Sequence, residues 1–382
     1  MFHHAPRGFL FYIRPMNRHI PHIISDADLI VQPIERAETI PAHWNYGEEM
    51  HRFERDHLFS RFWNYAGHGS QLQTPGNQVV EEAAGSPIIL VKDDEGKTRG
   101  FYNICRHRSG PLAIENCNSR VLQCKYHGWT YLLDGSLRGT PRFNRTELFD
   151  KKDFGLFPVV ISEWEGMWFV APSQPGVPLN EMVKNITGRI HPEKLSIKKF
   201  ARRIVYDVKC NWKVYVDNYL EGYHVPFVHP ELANLLDLQE YVTETSEWHS
   251  LQYSPLKENE TVYGSGQAYY YFIFPNFMLN ILPGRLQTNL VLPVSHNSCK
   301  VIFEYFYDDV DSNVAKQKLA DDLAYSEAVQ KEDIEICEFV QRGLESRVYT
   351  KGRISPETEL GVYHFQSLLK HTYRSSLQAI TR

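Results

Sequence analysis

The chain has no apolar run approaching the length of a bilayer span, which takes about 20 residues of helix. It has no internal repeat and no low-complexity stretch, so solenoid, collagen-like and disordered architectures are set aside. Clustered basic residues are scarce. The densest group is Lys198-Lys199-Phe200-Ala201-Arg202-Arg203, and the formal net charge is −5. Neutralising a phosphate backbone needs a basic face, so nucleic acid is not an expected partner. There are only six cysteines, at positions 105, 117, 124, 210, 299 and 337. That is too sparse for a disulfide-stapled scaffold. It fits a reducing, cytoplasmic setting in which some thiols serve as ligands. No dinucleotide or flavin fingerprint occurs: Gly264-Ser265-Gly266 lacks the third glycine and the following helix.

Acid is also missing from residues 1–25, which hold Arg7, Arg14 and Arg18; Asp26 is the first acid. This bias is that of an organelle transit peptide. Pro6, Pro15 and Pro21 oppose an amphipathic helix there. The apolar patch Phe9-Leu10-Phe11-Tyr12-Ile13 is too short for a secretory signal, and Arg14 ends it. Residues 1–40 are therefore expected to be a poorly ordered leader.

What is present is an ordinary globular composition: 382 residues, 42% hydrophobic, 23% charged and 13% aromatic. The length suggests two or three domains. Residues 42–63 read as an amphipathic helix. Between 65 and 172, short β-rich runs alternate with turn residues, and Trp129-Thr130-Tyr131-Leu132-Leu133 runs into Asp134-Gly135, a hairpin signal. This predicts a small antiparallel β domain. Residues 172–178 read as a linker. Beyond it the pattern is mixed, with a helix over 212–224, strands near 269–282, 287–293 and 300–307, and a long helix over 314–344. The fold class is α+β.

The strongest chemical signal is Cys105-Arg106-His107 followed by Cys124-Lys125-Tyr126-His127. Each loop offers one thiolate and one imidazole. Zinc accepts two Cys and two His, but zinc fingers usually pair Cys with Cys and His with His. Pairing Cys with His in each loop suits a centre with two chemically different metal sites, as in a [2Fe–2S] cluster held by two Cys on one iron and two His on the other. Gly110, Pro111, Gly128 and Trp129 flank the loops, and glycine lets backbone approach the sulfides.

Cys105-Arg106-His107-Arg108-Ser109-Gly110 and Cys124-Lys125-Tyr126-His127-Gly128-Trp129-Thr130-Tyr131 resemble the α subunits of Rieske non-haem iron oxygenases. Respiratory Rieske proteins carry an extra, disulfide-bonded Cys in each loop, missing here. Cys117 lies between the loops and is expected to be a buried small apolar residue.

A second constellation lies in Asp217-Asn218-Tyr219-Leu220-Glu221-Gly222-Tyr223-His224-Val225-Pro226-Phe227-Val228-His229. His224 and His229 do not share one helix face. Pro226 biases Val225 away from helix, so the helix should end near His224 and His229 should fold back from the next turn. A facial triad leaves positions open for O2 and needs a carboxylate as third ligand. Asp333 shares a helical face with Val329, Ile336, Cys337 and Val340, although Glu332 also neighbours Val329 and Ile336. Periodicity favours Asp333 only mildly; the resemblance selects it.

Positions 217, 221 and 224 fall on one stripe. Glu221 can accept a hydrogen bond from the His224 ring and fix its tautomer. The resemblance implies that Glu221 also bridges this iron site to a cluster His of a neighbouring subunit; many family members have Asp there. Asp217 is a second acid candidate, with a helix-stabilising role as its alternative.

The resemblance further implies a Rieske domain over 65–172 and a catalytic domain over 179–382 with an antiparallel sheet and flanking helices. Residues 41–64 would pack on the catalytic domain. It implies a homotrimer and a separate flavin/iron–sulfur reductase that passes on electrons from NAD(P)H. It also implies hydroxylation of a small organic substrate with O2. The pattern, including Phe274-Pro275-Asn276-Phe277-Met278-Leu279-Asn280, is most similar to the choline, glycine-betaine and carnitine branch. Tyr269, Tyr270, Tyr271, Phe272 and Phe274 offer a cage for a quaternary ammonium; core packing is the alternative for at least half of them. An aromatic-ring dioxygenase and a Rieske electron carrier with a vestigial second domain are the competing readings.

Overall fold

A computed structural model describes residues 23–230, 232, 240–256 and 266–381. The leader residues 1–22 and the Gly264-Ser265 pair lie outside the described residues. Two compact units divide the chain: one runs over 59–176, and the other joins 23–58 to 177–381. The division falls inside the 172–178 segment.

The smaller unit holds ten strands: β1 (Asn64–His68), β2 (Asn77–Ala83), β3 (Ser86–Lys92), β4 (Thr98–Tyr102), β5 (Cys117–Asn118), β6 (Leu122–Gln123), β7 (Thr130–Tyr131), β8 (Leu137–Gly139), β9 (Val160–Trp164) and β10 (Met167–Ala171). They form antiparallel sheets in the orders β4-β3-β2-β5, β1-β10-β9 and β6-β7-β8. Strand β3 reads as a continuous apolar run because both of its faces are covered. Ile89 and Val91 pack with Cys105, Cys124 and Trp129. Ile88 and Leu90 pack with Ala66, Val79 and Val170. Alternation along one strand thus feeds two cores. The turn at Asp134-Gly135 joins β7 to β8 as expected. Gly135 has φ +88° and a Cβ there would lie 2.5 Å from the Phe101 ring, so only glycine fits.

Among the described residues of the larger unit, helices α1 (Glu48–Glu54), α2 (Leu179–Met182), α3 (Ile186–Arg189), α4 (Trp212–Tyr219), α5 (Val225–Val228), α6 (Asn313–Glu345) and α7 (Leu360–Thr381) accompany seven strands. The strands are β11 (Lys199–Val208), β12 (Val242–Thr245), β13 (His249–Pro255), β14 (Gln267–Ile273), β15 (Phe277–Leu282), β16 (Arg285–Ser295) and β17 (Ser298–Tyr307). They form one antiparallel sheet in the order β11-β17-β16-β15-β14-β13-β12. The run expected as a strand over 269–282 is a hairpin, β14 and β15. Among the described residues, no helix is long and apolar enough to cross a membrane.

Two expectations change at the start of this unit. The segment from 23 to 40 is not a loose leader: Leu29, Ala37 and Ile40 are buried, and Gln366 accepts from the Ile40 N–H at 2.8 Å. The helix expected over 42–63 is broken into a 3-10 turn at Ala42–Asn45, helix α1 and a wider turn at Arg55–Phe59. A buried acid on α1 anchors the segment: Glu54 accepts from Lys213 Nζ at 2.6 Å, Trp212 Nε1 at 2.8 Å and the Tyr373 hydroxyl at 2.6 Å. A buried carboxylate needs such partners.

Candidate metal centres

In the smaller unit, the two loops are closed by their own backbone. Cys105 N–H donates to Gly110 O at 2.8 Å, Cys124 N–H to Trp129 O at 2.8 Å, and Lys125 N–H to Pro111 O at 2.9 Å. The last bond ties one loop to the other. Cys105 and Cys124 are buried and their thiols are in contact. The His107 and His127 rings lie 4.8 Å apart. Trp129 stacks on His107 at 4.9 Å. A Cβ on Gly110 would sit 3.0 Å from Cys124 Sγ and 2.9 Å from Tyr126 Cβ, so the loops can close only around glycine. The Tyr131 hydroxyl lies 3.2 Å from Cys105 Sγ, and Tyr126 N–H donates to Cys124 Sγ at 3.4 Å.

Burial pushes the Cys105 thiol up, against the Tyr131 hydroxyl, which favours the thiolate. Burial lowers the His107 imidazolium, helped by the neighbouring His127. His107 Nδ1 is buried and has no hydrogen-bond partner, which suits a metal-binding nitrogen. The donor set of two thiols and two imidazoles fits a [2Fe–2S] group with unlike irons. Cys117 departs from its expectation: it is exposed on β5.

In the larger unit, His224, His229 and Asp333 bring one donor atom each to within 4.8 Å of one another. Their elements explain how. Helix α4 stops at Tyr219, not near His224, because the Tyr219 carbonyl turns to accept from Gln252 Nε2 at 2.8 Å. Glu221 then holds the turn that precedes a new helix, accepting from the N–H groups of Tyr223 and His224. Pro226 sits in the first turn of α5, where its missing N–H costs nothing. It therefore starts a helix where the sequence reading had it end one. His229 follows that turn, and Asp333 projects from α6.

Each ligand candidate is held by a neighbour. Glu221 Oε1 lies 2.6 Å from His224 Nδ1. Glu332 Oε2 lies 2.7 Å from His229 Nδ1, and Asp333 Oδ1 lies 2.9 Å from His229 Nε2. Asn218 Nδ2 donates to Asp333 Oδ1 at 2.6 Å. Burial pulls the His229 imidazolium down, but Asp333 and Glu332 outweigh it and the net direction is up. Asn218 was not anticipated beside this group, and Glu332 was weighed only as a rival to Asp333 for the third ligand. Glu332 adjoins Asp333 in sequence, and only the fold shows that the two acids meet opposite nitrogens of one ring. Val340, expected on the inner face, is exposed.

Asp217 does not join this group and does not line the cleft. It turns toward α7, where Gln366 Nε2 donates to its Oδ2 at 2.9 Å. Burial pushes its carboxyl up to about 8, opposed by Gln366 and Lys213.

A cleft opens beside the three ligand candidates, lined by Tyr215, Tyr219, Tyr241, Tyr270, Phe303 and Tyr325 among others. Of the five aromatics considered for a cage, only Tyr270 is among the lining residues. Tyr271, Phe272 and Phe274 are buried in the core.

The family model described as "Rieske [2Fe-2S] domain" matches residues 62–150. That described as "Ring hydroxylating alpha subunit (catalytic domain)" matches residues 198–375. The chloroplastic choline monooxygenase of Arabidopsis thaliana is 35% identical over 361 residues, covering 90% of this chain and 84% of that protein. The chain belongs to the Rieske oxygenases. It is thus an oxidoreductase with a [2Fe–2S] cluster and a mononuclear iron. The carnitine monooxygenase oxygenase subunit of Acinetobacter pittii is 27% identical, over 88% of this chain and 95% of that one. The quaternary ammonium Rieske monooxygenase CntA, solved in complex with L-carnitine, aligns with a TM-score of 0.80 at 26% identity, covering 88% of this chain and 96% of that one. Naphthalene 1,2-dioxygenase structures, at 17% identity and a TM-score of 0.75, share the fold.

Proposed function

We propose that this Rieske oxygenase is the terminal component of a multi-protein hydroxylase acting on a quaternary or N-methylated amine. The observation that carries the reading is the convergence of His224, His229 and Asp333 at the wall of a cleft lined with tyrosines. Two imidazoles and one carboxylate are the donor set of iron sites that leave positions for O2. Tyrosine faces attract a quaternary ammonium, which has no N–H to donate. The choline and carnitine relatives act on cations of that kind by name.

In this reading Cys105, His107, Cys124 and His127 hold the cluster, and His224, His229 and Asp333 hold the iron. When bound, the cluster supplies single electrons and the iron supplies O2 activation. The chain's own residues do the rest. Glu221 fixes the His224 ring through Nδ1, and Glu332 does the same for His229, so each presents its other nitrogen. Asn218 holds one Asp333 oxygen in place. The tyrosines orient the substrate and exclude water. Glu221 also serves as the link to a cluster histidine of a neighbouring subunit in a homotrimer; inter-subunit electron transfer is described for CntA. A separate flavin/iron–sulfur reductase delivers electrons from NAD(P)H. Cys117, Cys210, Cys299 and Cys337 remain free thiols, which accords with a reducing, cytoplasmic setting.

The test is substrate-stimulated O2 uptake with NADH and a generic reductase. Formaldehyde or an aldehyde from a quaternary amine supports the reading, and a ring diol from an arene replaces it with the dioxygenase. His224→Ala should abolish uptake while the visible cluster spectrum persists. Full turnover by that variant would remove the iron-site assignment. The carrier reading predicts no substrate-stimulated uptake at all.

A further inference from the structure

One wall of the cleft carries a buried polar ladder. Side chains of a strand alternate faces, so Arg285, Gln287 and Asn289 of β16 project from the same one. All three line the cleft and are only 5%, 2% and 2% exposed. Behind them lies Asp322 of α6, 1% exposed. It accepts from Arg285 Nε at 2.6 Å and from the Tyr307 hydroxyl. Arg285 Nη2 donates to Gln287 Oε1 at 2.5 Å. Gln287 Nε2 then donates to Asn289 Oδ1 at 2.7 Å.

Chemistry fixes the direction of this chain. Arginine has donors and no acceptor, so the Gln287 atom that meets it is the oxygen. The Gln287 nitrogen therefore faces Asn289, which must answer with oxygen. What remains is the Asn289 amide nitrogen. Among the described residues no hydrogen bond ends on it. That nitrogen does not count among the buried atoms that lack a partner, so it is open to the cleft that Asn289 lines and can donate to an acceptor on the occupant.

Charge says which acceptor. Among the described residues Arg285 is the only Lys or Arg that lines the cleft, and Asp322 already matches its charge. A carboxylate placed beside Asn289 meets a donor but, among the described residues, no unmatched Lys or Arg, so its desolvation is poorly answered there. A neutral oxygen needs only the donor.

We propose that Asn289 is a specificity-determining residue that hydrogen-bonds a neutral hydroxyl or carbonyl oxygen of the cationic substrate. The Asp322–Arg285 pair orients it through Gln287 and disfavours carboxylate-bearing relatives of that substrate. This rests on the quaternary-amine reading of the cleft.

Three probes separate the terms: choline, with a hydroxyl; ethyltrimethylammonium, with no oxygen; and γ-butyrobetaine, with a carboxylate and no hydroxyl. Calorimetric Kd values and stimulated O2 uptake are measured for each with the holoenzyme. Choline should bind about tenfold or more tightly than either of the others, the effect of one hydrogen bond made or lost. Asn289→Leu should bring the ratio of choline to ethyltrimethylammonium toward one, whereas a merely structural defect weakens both alike. Asp322→Asn should move the ratio of γ-butyrobetaine to choline up by about tenfold. If that variant does not fold, the Asn289→Leu ratio decides alone. Equal binding of choline and ethyltrimethylammonium by the natural protein, or preference for γ-butyrobetaine, overturns the proposal while leaving the quaternary-amine reading standing. If none of the three binds, that reading fails and the proposal falls with it.

Discussion

Asp217 gives the sharpest test of the physical reasoning, because its surroundings dictate both a sign and a size. One carboxyl oxygen accepts from Gln366, and the other is buried with no partner. Burial raises the carboxyl from 3.8 to about 8 in the folded chain, so the native state holds a proton that the unfolded chain has already lost. Where the unfolded state binds fewer protons, stability falls as pH rises. The loss begins near the unfolded value of 3.8 and levels off above about 8. Asp217→Asn keeps the shape and the acceptor for Gln366 but cannot ionise. One proton is worth about 1.4 kcal/mol per pH unit, and the site is half titrated at the upper end. Between pH 6 and pH 8 the variant should therefore gain ~2 kcal/mol over the natural protein. Urea unfolding of both proteins at pH 6, 7 and 8 measures this, and the difference cancels every other titrating group. Parallel stability profiles would refute the reasoning, because they would mean that Asp217 is ionised throughout the range.

Glu54→Gln leaves Lys213 buried beside a neutral amide, and should cost about 3–5 kcal/mol by the same urea measurement; a loss below ~1 kcal/mol would show that the pair is solvated. Glu332→Ala removes the partner of His229 Nδ1 and should weaken iron binding about 10–100-fold in chelator competition, with cluster absorbance retained. Unaltered affinity would mean that Glu332 does not orient the ring. Gly110→Ala forces Tyr126 and Cys124 apart, so the iron-to-sulfide content of the purified protein should drop; natural occupancy would show that the loops can yield.

The cluster loops were legible because their geometry is local. A Cys and a His lie two or three residues apart, and flanking glycines and Trp129 decide how each loop closes. The pair His224 and His229 was legible for the same reason, although the path between them was not. The reading placed a helix end at His224, whereas Gln252, from a distant strand, draws the chain out of helix at Tyr219. The third ligand candidate was half legible. Helical periodicity favoured Asp333 over Glu332 only mildly, because both acids face His229, and only the fold shows that Asp333 also meets His224. The aromatic run 269–274 misled, since alternation put most of it into the core and left Tyr270 to the cleft. Residues 23–40 were misread for want of pattern: their contacts come from α7 and the 349–354 segment, not from any periodicity of their own.

The amino-acid order alone determined which donors the chain carries and that they fall into two sets, because short loops bring near neighbours together whatever surrounds them. Tertiary structure decided what those donors face. It set Glu332 behind His229, sent Asp217 toward Gln366, and turned the Asn289 amide into the cleft by way of an acid 33 residues further along the chain. Orientation of a buried polar group depends on the partner it meets, and that partner comes from a distant segment whose position only packing defines.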